Sequence, residues 1–207
     1  MVYLHIPIST TQEIEILTFE NACKCDKEVI TYDDEKWLYI PNCYSEYRYV
    51  LGTVGKHPLI TIGINPSTAS PNRLDSTMRS VKRMACRNGF DSFIMLNIYA
   101  QRATEPKYLD NVCNEFLHQE NMKAFRWVLE NCVGVPSIWA AWGTTIEIRG
   151  YFKECLKDII NQGNRFGARW YMADKQTKNG HPHHPLYLRN DTKLVLFDIE
   201  NYVKTVM

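Results

Sequence analysis

The chain has 207 residues, 45% of them hydrophobic and 23% charged, with a net charge of +1. That is enough chain to bury a sizeable core in one domain spanning 1–207, and too neutral for a protein that coats nucleic acid, although a local basic patch stays open. No apolar run approaches the roughly 20 residues of a membrane-spanning helix, and Met1-Val2-Tyr3-Leu4-His5 lacks the basic-then-apolar order of a signal peptide, so a cytoplasmic protein with no membrane partner is expected.

The first 55 residues read as a polar, irregular region carrying two aromatic-rich patches. They are Trp37-Leu38-Tyr39-Ile40 and Tyr47-Arg48-Tyr49-Val50-Leu51, and the second suggests a strand in an antiparallel flap ahead of the main sheet. A core over 56–192 then alternates between strand and helix patterns. Leu59–Ile62 is the first buried strand, and Asp75–Asn88 has helical spacing and stops at Gly89. Phe93–Leu96 is the second strand, and Asp110–Cys132 is a long amphipathic helix with Phe116, Phe125, Val128 and Leu129 near one face. Ser137–Ala141 is the third strand, Ile146–Asn161 a helix and Ala168–Met172 the fourth strand. Lys193–Val206 is expected to form a terminal helix, within the closing segment 193–207. Strand–helix alternation implies a short, mostly parallel sheet with helices on both faces.

The residues just past each strand carry the chemistry. Asn65-Pro66-Ser67-Thr68 comes after the first, Asn97 after the second and Trp142-Gly143-Thr144 after the third. Lys178-Asn179-Gly180-His181-Pro182-His183-His184-Pro185-Leu186-Tyr187 comes after the fourth. In a parallel sheet these ends gather at one edge, where α/β proteins bind ligands, so two carboxamides, imidazoles and a Trp would share one crevice. Each residue also has a structural reading. Asn65 before Pro66 suits a turn, Ser67 or Thr68 a helix cap, Asn97 a loop-satisfying amide and Trp142 a core position. The histidines could be solvated, and they lack nearby acidic or thiol partners for a metal.

The seven cysteines, Cys23, Cys25, Cys43, Cys86, Cys113, Cys132 and Cys155, include no Cys-x-x-Cys pair and read as reduced thiols. Cys23, Cys25 and Cys43 could hold a metal or cluster, but a fourth ligand at sensible spacing is missing. No cofactor is expected. Arg73, Arg79, Lys82, Arg83 and Arg87, and separately Lys175, Lys178, Arg189 and Lys193, form two basic stretches that suit either phosphate contacts or a solvated face.

Gly63-Ile64-Asn65-Pro66, Met95-Leu96-Asn97, Ala141-Trp142-Gly143 and His184-Pro185-Leu186-Tyr187, in this order, resemble four blocks of the uracil-DNA glycosylase superfamily. A closer resemblance is to the domain of unknown function family 1643, a distant relative of those enzymes. It rests on Asn65-Pro66-Ser67-Thr68-Ala69, Asp75-x-Thr77-x-Arg79, Asn97-x-x-Ala100-x-Arg102-Ala103-Thr104, Trp142-Gly143 and Lys178-x-Gly180 followed by His184-Pro185-Leu186-Tyr187, and covers about Tyr47 to Arg189.

The resemblance implies a three-layer α/β/α sandwich and cleavage of an N-glycosidic bond to a uracil-like base in DNA. It implies that Asn65 holds the attacking water, Asn97 reads the base edge and His184 donates to the departing base. Asp75 is a carboxylate that could take the water's proton or cap a helix. Substrate contacts are expected from Pro66, Ser67, Thr68, Asn97, Arg102, Trp142 and Tyr187, and phosphate contacts from Arg79, Arg83 and Lys178. Tyr187 and Leu188 could also wedge into the gap a flipped base leaves, or sit in the core. Two alternatives stand beside this: action on free nucleosides, nucleotides or modified bases, and a non-catalytic nucleic-acid-binding module with the same fold.

Overall fold

A computed structural model describes residues 11–25, 31–189 and 191–207, with the side chain of Tyr187 outside the description. Its framework is four parallel strands: β3 (Pro58–Gly63), β4 (Ser92–Asn97), β5 (Ser137–Ala140) and β6 (Arg169–Ala173). The helices α2 (Ser76–Arg87), α3 (Glu115–Glu130) and α4 (Tyr151–Arg165) alternate with them in the chain. β3 lies between β4 and β5 and pairs in parallel with both, and β5 pairs in parallel with β6.

Alternation along the strands separates two cores. Ile60, Ile62, Ile94 and Ile138 face one side and pack with Phe125 and Val128 of α3 and with Leu156 and Ile159 of α4. Leu59, Phe93, Met95 and Trp139 face the other and pack with Met78, Val81 and Met84 of α2. The helices start at capped positions. Asp75 accepts the Met78 N–H at 2.8 Å, and Asn114 accepts the Leu117 N–H at 3.1 Å. α2 stops before Gly89, whose φ of 84° only glycine adopts without strain.

The four expected core strands are present, and further strands flank them. Seven strands form the sheet, in the order β1-β2-β4-β3-β5-β6-β7, where β1 is Trp37–Ile40, β2 Val50–Thr53 and β7 Leu194–Leu196. Three of the six pairings are parallel and three antiparallel, so the sheet is mixed and wider than expected. Only strands joined by helical crossovers run parallel, and the edges are added by short returns. The aromatic patches at 37–40 and 47–51 do supply the antiparallel edge ahead of the main sheet.

The terminal helix is shorter than its pattern. Leu194–Leu196 pairs antiparallel with β6, and α5 (Ile199–Val206) begins only after Asp198, whose carboxylate accepts the Asn201 N–H at 2.9 Å. A three-residue apolar run fits either period, and the Asp cap decides where the helix begins. The helix expected from Ile146 likewise starts at Tyr151, after a 3-10 turn over Gly143–Ile148.

α2 leads from β3 towards one edge across one face, and α4 leads from β5 towards the other edge across the opposite face. The gap between the C-terminal ends of β3 and β5 is therefore the switch point of the sheet, where a crevice opens.

The sheet leaves no room for a side chain at Gly52 of β2. A Cβ there would lie 2.4 Å from the Phe93 carbonyl oxygen and 2.9 Å from Ile94 Cα, both backbone. Gly52→Ala is expected to destabilise the protein by about 1–3 kcal/mol, read as a lower urea midpoint at unchanged m-value.

Candidate functional site

A cleft of about 510 Å³ opens at this switch point. The end of β3 and its loop line it with Gly63, Ile64, Asn65 and Ser67, and the start of α2 with Asp75, Ser76 and Thr77. Gly143, Thr144 and Thr145 come from the turn after β5, and His183, His184 and Leu186 from the segment after β6. Ala103, Thr104 and Arg48 complete the wall.

The loop after β3 is held by its carbonyls. Asn65 Nδ2 donates to Pro66 O at 2.8 Å and to Ala103 O at 2.9 Å, and the Ala103 N–H returns to Pro66 O at 3.0 Å. With both amide hydrogens spent on carbonyls, the only group Asn65 presents to the cleft is Oδ1, an acceptor. Arg102 Nη1 donates to Ser67 O and Nη2 to Tyr39 Oη at 2.8 Å, while Arg48 Nη1 donates to Ala69 O at 3.0 Å.

Asn97 ends β4 in register with Gly63 and is only 1% exposed. Neither Nδ2 nor Oδ1 has a hydrogen-bond partner among the described residues. A Cβ built on Gly63 would lie 3.1 Å from Asn97 Oδ1 and 2.5 Å from Met95 Cε, so the carboxamide lies directly behind a glycine of the cleft, beside a methionine that also lines it. Each unpaired buried polar group costs about 1–3 kcal/mol, so an orphaned pair at the back of a cavity calls for a partner from outside the chain, an ordered water or a ligand.

His184 precedes the 3-10 turn Pro185–Tyr187, and its Nδ1 accepts the Leu186 N–H at 3.3 Å. Burial holds its imidazole below the ordinary histidine range, against a smaller opposite pull from the Asp75 carboxylate. The ring is thus neutral at pH 7, and with Nδ1 accepting, its proton sits on Nε2. Ser80 Oγ of α2 donates to Pro185 O at 2.8 Å, tying this segment to the helix whose first residues line the same cleft. Gly143 has a φ of 63°, and a Cβ there would come within 3.1 Å of His184 Cβ, so the glycine after Trp142 lets the histidine approach.

Asn65, Ser67, Asp75 and His184 therefore share one cleft, with Asn97 just behind it. The other expected site residues stand elsewhere. Trp142 is buried, and its indole N–H donates to Tyr202 Oη at 3.0 Å. His181 joins the same network, with Nδ1 at 2.9 Å from Tyr202 Oη and Nε2 at 2.9 Å from Glu147 Oε1, and anchors the His-Pro segment from behind. Arg102 and Pro66 are buried supports of the loop, not part of the lining, and Thr68 is exposed outside it.

Arg79 folds back on Leu74 O and Ser76 Oγ, and Arg83 Nη2 donates to Ser80 Oγ. Lys178 is exposed away from the lining. None of these three cations lines the cleft. The side chain of Tyr187 lies outside the described residues. Among the described residues no group of three or more His, Cys, Asp or Glu side chains is arranged for a metal ion, and Cys25 and Cys43 Sγ lie 3.8 Å apart. No helix among them is long and apolar enough to cross a membrane.

Residues 48–186 match the family described as "Protein of unknown function (DUF1643)". The chain belongs to that family. Every residue of the cleft lies within the matched span. No curated protein and no solved structure matches the chain.

Two outcomes test this geometry. Replacing both orphaned atoms by an apolar group of similar size, Asn97→Leu, is expected to leave the unliganded protein as stable or more stable by up to about 1 kcal/mol in urea unfolding, whereas loss of a partnered amide would lower stability. For His184, the unfolded ring takes up a proton near pH 6.5 and the folded ring only at lower pH. Stability is therefore lost as pH falls below 6.5, and His184→Gln should remove that component; equal acid slopes for both proteins would show that the ring is not held neutral.

Proposed function

We propose that the cleft binds a pyrimidine-like base and that the protein hydrolyses the N-glycosidic bond joining the base to its sugar. The observation that carries this reading is the orphaned Asn97 carboxamide. A donor and an acceptor, side by side and without partners among the described residues, complement the alternating carbonyl and N–H edge of a uracil-like ring. The Met95 thioether, flexible and at the lining, is the group that moves aside to admit that edge.

In this reading Asn65 Oδ1 accepts a hydrogen bond from the attacking water and aims its oxygen at the anomeric carbon. The C–N bond breaks as the C–O bond forms, and its electron pair leaves with the base. The Asp75 carboxylate, whose Oδ1 caps α2 through Met78, takes the water's proton on its other oxygen. The neutral His184 ring donates from Nε2 to the base oxygen on which negative charge collects, and solvent protonates the departed base. The order of the strand-end blocks and the helices on opposite faces of the sheet favour kinship with the uracil-DNA glycosylases and their three-layer α/β/α arrangement.

The cleft's charge favours a free nucleoside or nucleotide over DNA. Among the described residues Arg48 is the single Lys or Arg on the lining, and a duplex-binding rim needs several. Chromatography of free base after incubation with deoxyuridine, deoxyuridine monophosphate and a uracil-containing oligonucleotide tests both points. Release is expected from the small substrates, with His184→Asn slower by about 10²–10³-fold. No base release from any of them, together with no binding of uracil itself, would end the reading, and release from the oligonucleotide alone would move the substrate back to DNA.

A further inference from the structure

Arg48 is not among the residues that the sequence singles out for chemistry. It enters the cleft wall because Tyr47–Tyr49 runs antiparallel to Ala100–Arg102. The Arg48 N–H meets Ala100 O at 2.9 Å and the Arg102 N–H meets Glu46 O at 2.8 Å. The side chain is 2% exposed, yet it lines the cleft. Of its donors, Nη1 is spent on Ala69 O, Nε is sealed without a partner, and Nη2 has no protein partner among the described residues.

No carboxylate among the described residues forms an ion pair with it. Among charged groups Arg102, a like charge, acts on it most strongly, and the Asp75 carboxylate, which already caps α2, pulls the other way more weakly. Desolvation first, and Arg102 second, push the guanidinium down to about 9. A buried arginine without an acid is a strained electrostatic arrangement that an incoming anion relieves.

We propose that Arg48 anchors an oxyanion of the cleft's ligand through Nη2, the guanidinium nitrogen that is neither sealed nor spent on the loop, in a charge-assisted hydrogen bond to a phosphate or carboxylate oxygen. The other donor, Nη1, faces the opposite way and holds the loop, so one guanidinium both supports the site and reads the ligand. The ligand is then anionic and compact: a nucleotide with its phosphate, or a base that itself bears a carboxylate. A neutral nucleoside brings no charge to meet Nη2. The choice of these probes rests on the base-binding reading above, but the anchor itself does not.

Isothermal titration and melting curves of the full chain decide it, with deoxyuridine, deoxyuridine monophosphate, a carboxylated pyrimidine and pyrophosphate as ligands. One of the two anionic pyrimidines is expected to bind about tenfold or more tightly than deoxyuridine, and which of them does so identifies the oxyanion. In Arg48→Met that ratio should fall to about one. Where this variant does not fold, Arg48→Lys, which keeps a charge but loses the Nη2 donor, should lower the ratio.

Equal affinity of the wild-type protein for the nucleoside and both anionic ligands overturns the anchor, as does a ratio that survives in Arg48→Met. If no pyrimidine binds but pyrophosphate raises the melting temperature of the wild type and not of Arg48→Met, the anchor stands and the base reading falls. If no anion shifts the wild-type melting temperature, the anchor falls whatever the bases do.

Discussion

Two buried guanidiniums hold the loop that makes the cleft. The chain leaves β3 through Asn65-Pro66-Ser67-Thr68-Ala69, where no neighbouring strand can satisfy its carbonyls. Arg102 supplies a donor to Ser67 O, and Arg48 supplies one to Ala69 O. Hydrogen bonds from charged donors are about twice as strong as neutral ones, which suits a short loop that must hold one shape. The side effect is a pair of like charges in the interior, with Arg102 stacked over the Tyr44 ring at 4.6 Å and neither guanidinium ion-paired among the described residues. The scaffold thus carries an electrostatic deficit next to its cavity. Arg48, the one that opens on the cleft, turns that deficit into affinity for an anion.

The register of β3 against β4 does the rest. Gly63 stands opposite Asn97, and the absence of a Cβ at 63 brings the carboxamide close to the cavity. A residue with any side chain at 63 would meet Met95 Cε at 2.5 Å and push on the amide. Small and flexible groups are thus placed where a ligand must approach, while the rigid and fully packed ones, Trp142, Tyr202 and Phe197, form the support behind the His-Pro segment.

Much of this is legible in the sequence alone. A β-branched run ending in Asn-Pro is a strand with a polar group at its carboxyl end, and the sheet rule then places the site. Asn65, Asp75 and His184 are readable because their positions depend only on where strands and helices end. Arg102 and Trp142 pass for ligand contacts in the sequence for a common reason. A motif shows that a residue type is needed but not which side of the backbone its side chain takes, and both face inward to hold the loop and the His-Pro segment. Arg48 is hidden in an aromatic strand pattern, where a lone cation looks like an edge residue; only the pairing of Tyr47 with Gln101 turns it to the cavity. The β7 edge escapes because three apolar residues carry no period of their own.

Three ionisable groups of the cleft, Asp75, His184 and Arg48, are coupled in one direction. Asp75 favours the protonated form of His184 and the charged form of Arg48, while burial opposes both. For the imidazole, burial wins, so the ring stays neutral and donates a single hydrogen bond. For the guanidinium, the charge persists at neutral pH because its intrinsic basicity is far higher. An anion seated on Arg48 offsets the repulsion between the Arg48 and Arg102 guanidiniums. Recognition of an anionic ligand thus draws on the same buried charge that holds the loop after β3.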